Sequence, residues 1–160
     1  QAGAEALRGR TDFEVLVQGE GTLSALIDRF RDERDSCLVG TLSLWQGVDV
    51  VGPSCRLVVI DKIPFPRPDD PVTKARCMDV ERRGGSGFRA VSLTHAALLM
   101  ARGAGRLLRS DTDRGVVAVL DPRLGTKPYG RFILASMPPM WPTEDPQVVR
   151  GALRRLNARK

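Results

Sequence analysis

Three features of the sequence predict an α/β fold built on a parallel sheet flanked by helices. Short apolar runs, FEVLV at 13–17, CLVG at 37–40, LVVI at 57–60 and VVAVL at 116–120, alternate with stretches of helical periodicity. The runs are apolar at consecutive positions, the pattern of strands covered on both faces. With 160 residues, the chain has the length of one domain with a respectable core, and no more.

Residues 1–10 read as the end of an Ala/Leu helix that began further upstream. Strand 13–17 is bounded by turn formers, and the QGEG turn at 18–21 leads to a helix over 23–34 with Leu26, Ile27 and Phe30 on one side. After the strands at 37–40 and 57–60 comes IPFPRPDDP, residues 63–71, whose four prolines require an irregular loop. Residues 72–83 can form a helix, ended by the flexible GGSG at 84–87. An arginine-bearing helix and the strand at 116–120 follow, and the tail ends in a helix carrying Arg150, Arg154, Arg155 and Arg159. No internal repeat or low-complexity segment stands out.

Composition narrows the classes. Hydrophobic residues make up 42% of the chain, a globular proportion, and the longest apolar runs are far too short to cross a bilayer. The start, QAGAEALRGR, lacks the apolar centre of a signal peptide, so a cytoplasmic protein is expected. Cys37, Cys55 and Cys77 are odd in number, widely spaced and without a CxxC pair, so free thiols are expected and no metal site. The net charge of +6 comes mostly from arginine, whose guanidinium fork can grip two phosphate oxygens at once.

The stretch Leu98–Asp113, LLMARGAGRLLRSDTD, concentrates that charge. Wound as one helix at about 100° per residue, it places Arg102, Arg106 and Arg109 within roughly 60° of one another. Met100, Ala101, Ala104, Leu107 and Leu108 then fall on the opposite, core-facing side. Gly103 and Gly105 interrupt it, each costing a helix interior about 1 kcal/mol relative to Ala. Glycines at such a cost suggest a close backbone approach, or a helix that begins or kinks there. On composition alone, a surface helix with solvated arginines is the favoured reading.

The wording of the stretch goes further. Gly105-Arg106-Leu107-Leu108-Arg109 resembles the GRxxR core of motif VI in superfamily 2 helicases. Upstream, Gly40-Thr41-Leu42-Ser43-Leu44-Trp45-Gln46-Gly47-Val48-Asp49 resembles motif V of the same enzymes. With VVIDKIPFPRPDDP between them, the three blocks resemble the second, C-terminal RecA-like motor lobe of the XPD/DinG family of ATP-dependent DNA helicases. The likeness covers nearly the whole chain.

The resemblance implies roles for particular residues. Thr41 and Ser43 would touch the DNA backbone, and Trp45, at a position the family often fills with an aromatic, would either stack on a base or pack in the core. Gly47 and Asp49 would lie on the nucleotide side, with Arg102, Gly105, Arg106 and Arg109 completing the nucleotide contacts. Arg106 and Arg109 would reach across a cleft to ATP held by the other lobe, one of them as an arginine finger that stabilises charge on the transferring phosphate. Arg102 departs from the family, which has Gln there. The loop at 40–53 also follows a strand directly, where open parallel sheets collect ligands, and its glycines allow amides to approach a phosphate. An ordinary loop with turn glycines would look similar. His95, Asp69, Asp70, Asp61 and Lys62 carry no constellation that points to chemistry of their own.

The chain contains no GxxxxGK[ST] phosphate loop and no DEAH-like acidic box for Mg²⁺. ATP and Mg²⁺ would therefore be bound mainly by a first motor lobe outside this sequence, a partial P-loop NTPase architecture whose opening strand is also missing here. The expectation is a C-terminal helicase lobe of DNA repair or replication, acting on single-stranded DNA or junctions together with its N-terminal lobe, away from membranes. The alternative is a non-catalytic nucleic-acid-binding module that kept the lobe and lost the motor.

Overall fold

The computed structural model describes residues 2–47, 55–107 and 113–158. The element order is α1 (Ala2–Arg8), β1 (Glu14–Val17), α2 (Leu23–Asp32), β2 (Ser36–Val39), α3 (Leu44–Gly47), β3 (Leu57–Ile60), α4 (Pro71–Arg82), a six-residue π-helix (Phe88–Leu93), α5 (Thr94–Ala104), β4 (Val116–Val119), α6 (Arg123–Thr126), α7 (Gly130–Ser136) and α8 (Pro146–Ala158). Strands and helices interleave as the apolar runs predict, and the fold is α/β.

Local chemistry sets most of the boundaries. Phe13 stays out of β1 because its N–H bonds to Thr11 Oγ1 at 2.8 Å, while Glu14 N–H makes the first rung, to Asp35 O at 3.0 Å. α2 opens at Thr22, whose side chain accepts from Ala25 N–H. α4 opens at Asp70, whose carboxylate accepts from Thr73 N–H at 2.7 Å, with Pro71 in the first helical position. Both satisfy donors that a helix start leaves without partners. Hydrogen bonds from the Thr73 side chain and from its N–H also hold the Asp70 carboxyl below its ordinary pKa.

Among the described residues the strands are parallel, as expected, and pair two by two. β1 pairs with β2 in parallel, Glu14 opposite Ser36 through Val17 opposite Val39. β3 pairs separately with β4, Leu57 opposite Val116 through Ile60 opposite Val119. Among the described residues no strand bonds to the remaining edges, so the two pairs stay unjoined. Nor is every strand covered on both faces, because Leu57 and Val59 of β3 are 43% and 54% exposed.

α5 gives the main core its floor. Ala96, Ala97 and Met100 pack with Ile60, Ile63, Leu93 and Ile133 into one cluster, edged by Trp45, Val58, Phe65, Val117, Val119 and Tyr129. Alanines on this face let the helix come close to β3, and Met100 fills the space that is left. A smaller cluster of Ala4, Val15 and Val17, with Val39 beside it, joins α1 to β1 and β2. α8 runs beside β4, where Arg56 Nη1 donates to Asn157 Oδ1 at 3.0 Å.

Among the described residues the arginine stretch does not continue as one regular helix, and the departure falls at its glycines. α5 stops at Ala104, with Gly105 N–H bonding to Ala101 O at 2.8 Å. Arg106 N–H then reaches Gly103 O and Leu107 N–H reaches Ala104 O, three residues back instead of four. Two glycines in three positions weaken the helix enough for its last turn to tighten in this way. Met100, Ala104 and Leu107 are buried as the core-facing reading requires, and Ala101 is half-buried. Leu108 and Arg109 lie outside the described residues.

Candidate functional site

The loop after β2 stands at the carboxyl end of its strand pair, and its residues divide cleanly by burial. Thr41, Leu42 and Ser43 are exposed, Leu44 is buried and Trp45 is half-buried. Leu44 N–H to Thr41 O and Trp45 N–H to Leu42 O begin α3, which ends at Gly47. Thr41 and Ser43 thus face outward side by side, their hydroxyl oxygens 3.0 Å apart. Asp49 lies outside the described residues.

Gln18, the first residue beyond β1, reaches into this loop. Its Oε1 accepts from Thr41 N–H at 2.8 Å and from Thr41 Oγ1 at 3.1 Å, and its Nε2 donates to Ser43 Oγ at 2.7 Å. Gly40 makes the approach possible, since a Cβ there would stand 2.7 Å from Gln18 Oε1 and 2.3 Å from Leu44 Cδ1. The sequence reading passed over Gln18 as part of a turn. The signal that could have found it is its place directly after a strand, the same place that drew attention to the 40–53 loop.

Trp45 lies against α5. A Cβ at Gly103 would stand 3.0 Å from Cη2 and Cζ3 of the indole and 3.1 Å from Cε3. The indole edges the main core from that position, so it has a packing role whatever else it touches. The contact joins the Thr41–Ser43 loop to the segment carrying the arginines. Arg102 is exposed in the last turn of α5, Gly105 follows the helix, and Arg106 is half-buried in the tightened turn. Arg102 and Arg106 belong to one short segment but not to one helical face, and Arg109 falls outside the described residues.

A second polar centre lies at the carboxyl ends of β3 and β4. Asp121 is 6% exposed, and its carboxylate accepts from Ile63 N–H at 2.9 Å, from Arg123 N–H at 3.0 Å and from Arg123 Nη2 at 2.6 Å. The Arg123 hydrogen bonds hold this carboxyl far below the usual carboxylate range. The Arg123 guanidinium also lies 5.3 Å from the centre of the Phe65 ring, within cation–π reach. Phe65, Phe88 and Tyr129 contact one another with centroids 5.5–5.8 Å apart. Together they tie the proline-rich loop to the strands. The sequence reading noted Asp61 and Lys62, which are exposed, and missed Asp121 with its neighbour Arg123; the Asp121 bond to Ile63 N–H crosses 58 positions. Asp69 pairs with Arg67 at 2.9 Å, and His95 is exposed in the first turn of α5. Cys37, Cys55 and Cys77 are free thiols. Among the described residues no three His, Cys, Asp or Glu side chains group to hold a metal ion, and no helix is long and apolar enough to cross a membrane.

The family model described as "helicase C-terminal domain" matches residues 3–140. The chain belongs to the helicase C-terminal domain family, in its XPD/DinG branch. It is 57% identical over 156 residues to the ATP-dependent helicase DinG of Mycobacterium tuberculosis (strain ATCC 25618 / H37Rv), covering 98% of this chain and 24% of that protein. It is 45% identical over 142 residues to the ATP-dependent DNA helicase YoaA of Escherichia coli (strain K12), covering 89% of this chain and 22% of that protein. The likeness extends to the 3'-5' exonuclease DinG of Bacillus subtilis (strain 168), 38% identical over 128 residues, 79% of this chain and 14% of that protein. The chain thus spans about a quarter of the first two relatives. As a helicase C-terminal domain, it carries its exposed hydroxyls and its arginines on two segments that meet at Trp45 and Gly103.

Proposed function

We propose that this domain is the second motor lobe of a cytoplasmic, ATP-dependent DNA helicase of repair or replication, working with a first lobe on single-stranded DNA or junctions. The observation that carries the reading is the seating of Trp45 on Gly103, which makes one body of the outward hydroxyls and the arginine segment. A motor needs such a connection, since nucleotide state must change the grip on DNA. Relatives named as ATP-dependent helicases support the same reading.

In this proposal Thr41 and Ser43 contact DNA phosphates, with Trp45 beside them. Gly47 and Asp49 face the nucleotide, together with Arg102, Gly105, Arg106 and Arg109. Mg²⁺ and the triphosphate are held mainly by the first lobe, and this domain contributes guanidinium charge at the transferring phosphate.

Replacing either candidate finger tests the core of the reading. Arg106→Ala and Arg109→Ala in the full-length protein should each be compared for ATP turnover and ATP affinity. The residue that acts as the finger should lose about 10³-fold or more in kcat with KM little changed, because the charge it meets develops only in the transition state. Its Arg→Lys variant should recover only part of the rate, since an ammonium lacks the planar fork. Unchanged turnover in both Ala variants would remove the finger from this domain. That outcome would favour the non-catalytic nucleic-acid-binding module, a reading to which exposed Arg102, in place of the family's Gln, lends some support.

A further inference from the structure

We propose that Gln18 is a positioning residue for DNA binding, setting the Ser43 hydroxyl so that its proton is offered outward to a backbone phosphate. The proposal rests on the reading that Thr41 and Ser43 contact phosphates. Its argument is an accounting of protons. Thr41 N–H can only donate, so the Gln18 atom 2.8 Å from it must be the carbonyl oxygen, which fixes the orientation of the amide. The same oxygen accepts the Thr41 hydroxyl proton at 3.1 Å. The amide nitrogen, which can only donate, therefore faces Ser43 Oγ at 2.7 Å.

The remaining freedom is small. Ser43 accepts from Gln18, and the Thr41 proton is already committed, so across the 3.0 Å contact between the hydroxyls Ser43 is the donor. Without DNA, three side chains close a ring of hydrogen bonds. With a phosphate oxygen in reach, the Ser43 proton can turn from Thr41 to the charged acceptor, a stronger bond, without breaking any of the three bonds to Gln18. Gln18 is itself held in place, because its N–H bonds to Val39 O at 2.9 Å and extends the β1–β2 ladder by one rung. Gly40 leaves the space through which the amide reaches the loop.

The test is binding of a fluorescent oligothymidylate by the full-length protein, read by anisotropy at several salt concentrations. Ser43→Ala should weaken binding about ten- to a hundredfold, the range for one lost hydrogen bond to a charged group. Gln18→Met, similar in length and unable to bond, should lose a similar factor, and the double variant should lose little more than either single one. Gln18→Glu should bind most weakly at low salt, because its second oxygen can only accept and would draw the Ser43 proton inward beside a repelling charge. That excess loss should shrink as salt rises. Ser43→Ala binding as tightly as wild type would overturn the phosphate reading, and the proposal with it. A weakened Ser43→Ala beside an unaffected Gln18→Met, or losses that simply add, would overturn the positioning role and leave the phosphate reading standing. Melting curves supply the remaining control. Gln18 variants that melt earlier yet keep the wild-type Kd on their folded fraction would show an architectural residue only.

Discussion

Gly103 decides how close Trp45 can come to α5, and a substitution there has two opposed effects. Alanine would place its Cβ 3.0 Å from two ring atoms, a contact the half-buried indole can relieve by shifting a few tenths of an ångström. Against that, a helix gains about 1 kcal/mol when Gly becomes Ala. The two nearly cancel, so Gly103→Ala should melt within a few degrees of wild type. Gly103→Val adds branching where there is no room and gains less propensity, so it should displace the ring and cost about 1–3 kcal/mol. The protein has two tryptophans, and Trp141 is 76% exposed, so Trp141→Phe leaves fluorescence that reports on Trp45. In that background Gly103→Val should shift emission to the red and increase acrylamide quenching, while Gly103→Ala should change little. A blue-shifted, protected Trp45 in Gly103→Val would mean that the indole does not depend on this gap.

At the scale of elements, β3 and α4 were legible because their signals are local. LVVI is a bounded apolar run and forms β3 at those four residues. α4 forms where 72–83 was read, but it opens one residue earlier, at Pro71 behind the capping Asp70, both of which had been assigned to the proline-rich loop. The end of α5 was not legible, because periodicity continues through Leu107 while the backbone has already tightened, and the buried leucine fits either winding. The π-helix over Phe88–Leu93 left no periodic trace in six residues. Asp121 escaped for another reason: its partner Ile63 belongs to a loop that only the fold brings near. In the site itself, the residues of the two motif-like blocks stood out by wording, whereas Gln18 stood out only by position. Asp121 also carries a pH dependence. Its folded pKa lies far below the unfolded value, so the stabilisation is complete above about pH 5, begins to decline as pH falls through about 4, and is lost only as pH approaches the folded value. Asp121→Asn should cost about 1–3 kcal/mol near neutrality, with Arg123 losing its charged partner. The gap between the denaturant midpoints of the two proteins should begin to narrow as pH falls below about 4 and be smaller at pH 3 than at pH 7. A constant gap between them from pH 7 to pH 3 would mean that the carboxylate's charge is not what holds the loop.

At the scale of the whole molecule, the domain offers charge without a means of placing substrate. Arginines can stabilise a transferring phosphate, yet positioning of the triphosphate, the metal ion and the attacking water provides much of the catalysis in phosphoryl transfer. No phosphate loop exists in these 160 residues. Among the described residues β3 also exposes Leu57 and Val59, and its pair with β4 bonds to no further strand, an arrangement that invites pairing. The chain as given should therefore show no ATP hydrolysis above background, with or without single-stranded DNA, and should associate at high concentration. Adding the first lobe, in the same chain or as a separate piece that docks, should bring DNA-stimulated hydrolysis. The measurement is steady-state phosphate release by the purified chain, beside its Arg106→Ala variant to exclude a contaminant. Turnover by the chain alone that disappears in Arg106→Ala would mean that it holds a complete catalytic centre, and the two-lobe proposal would fall.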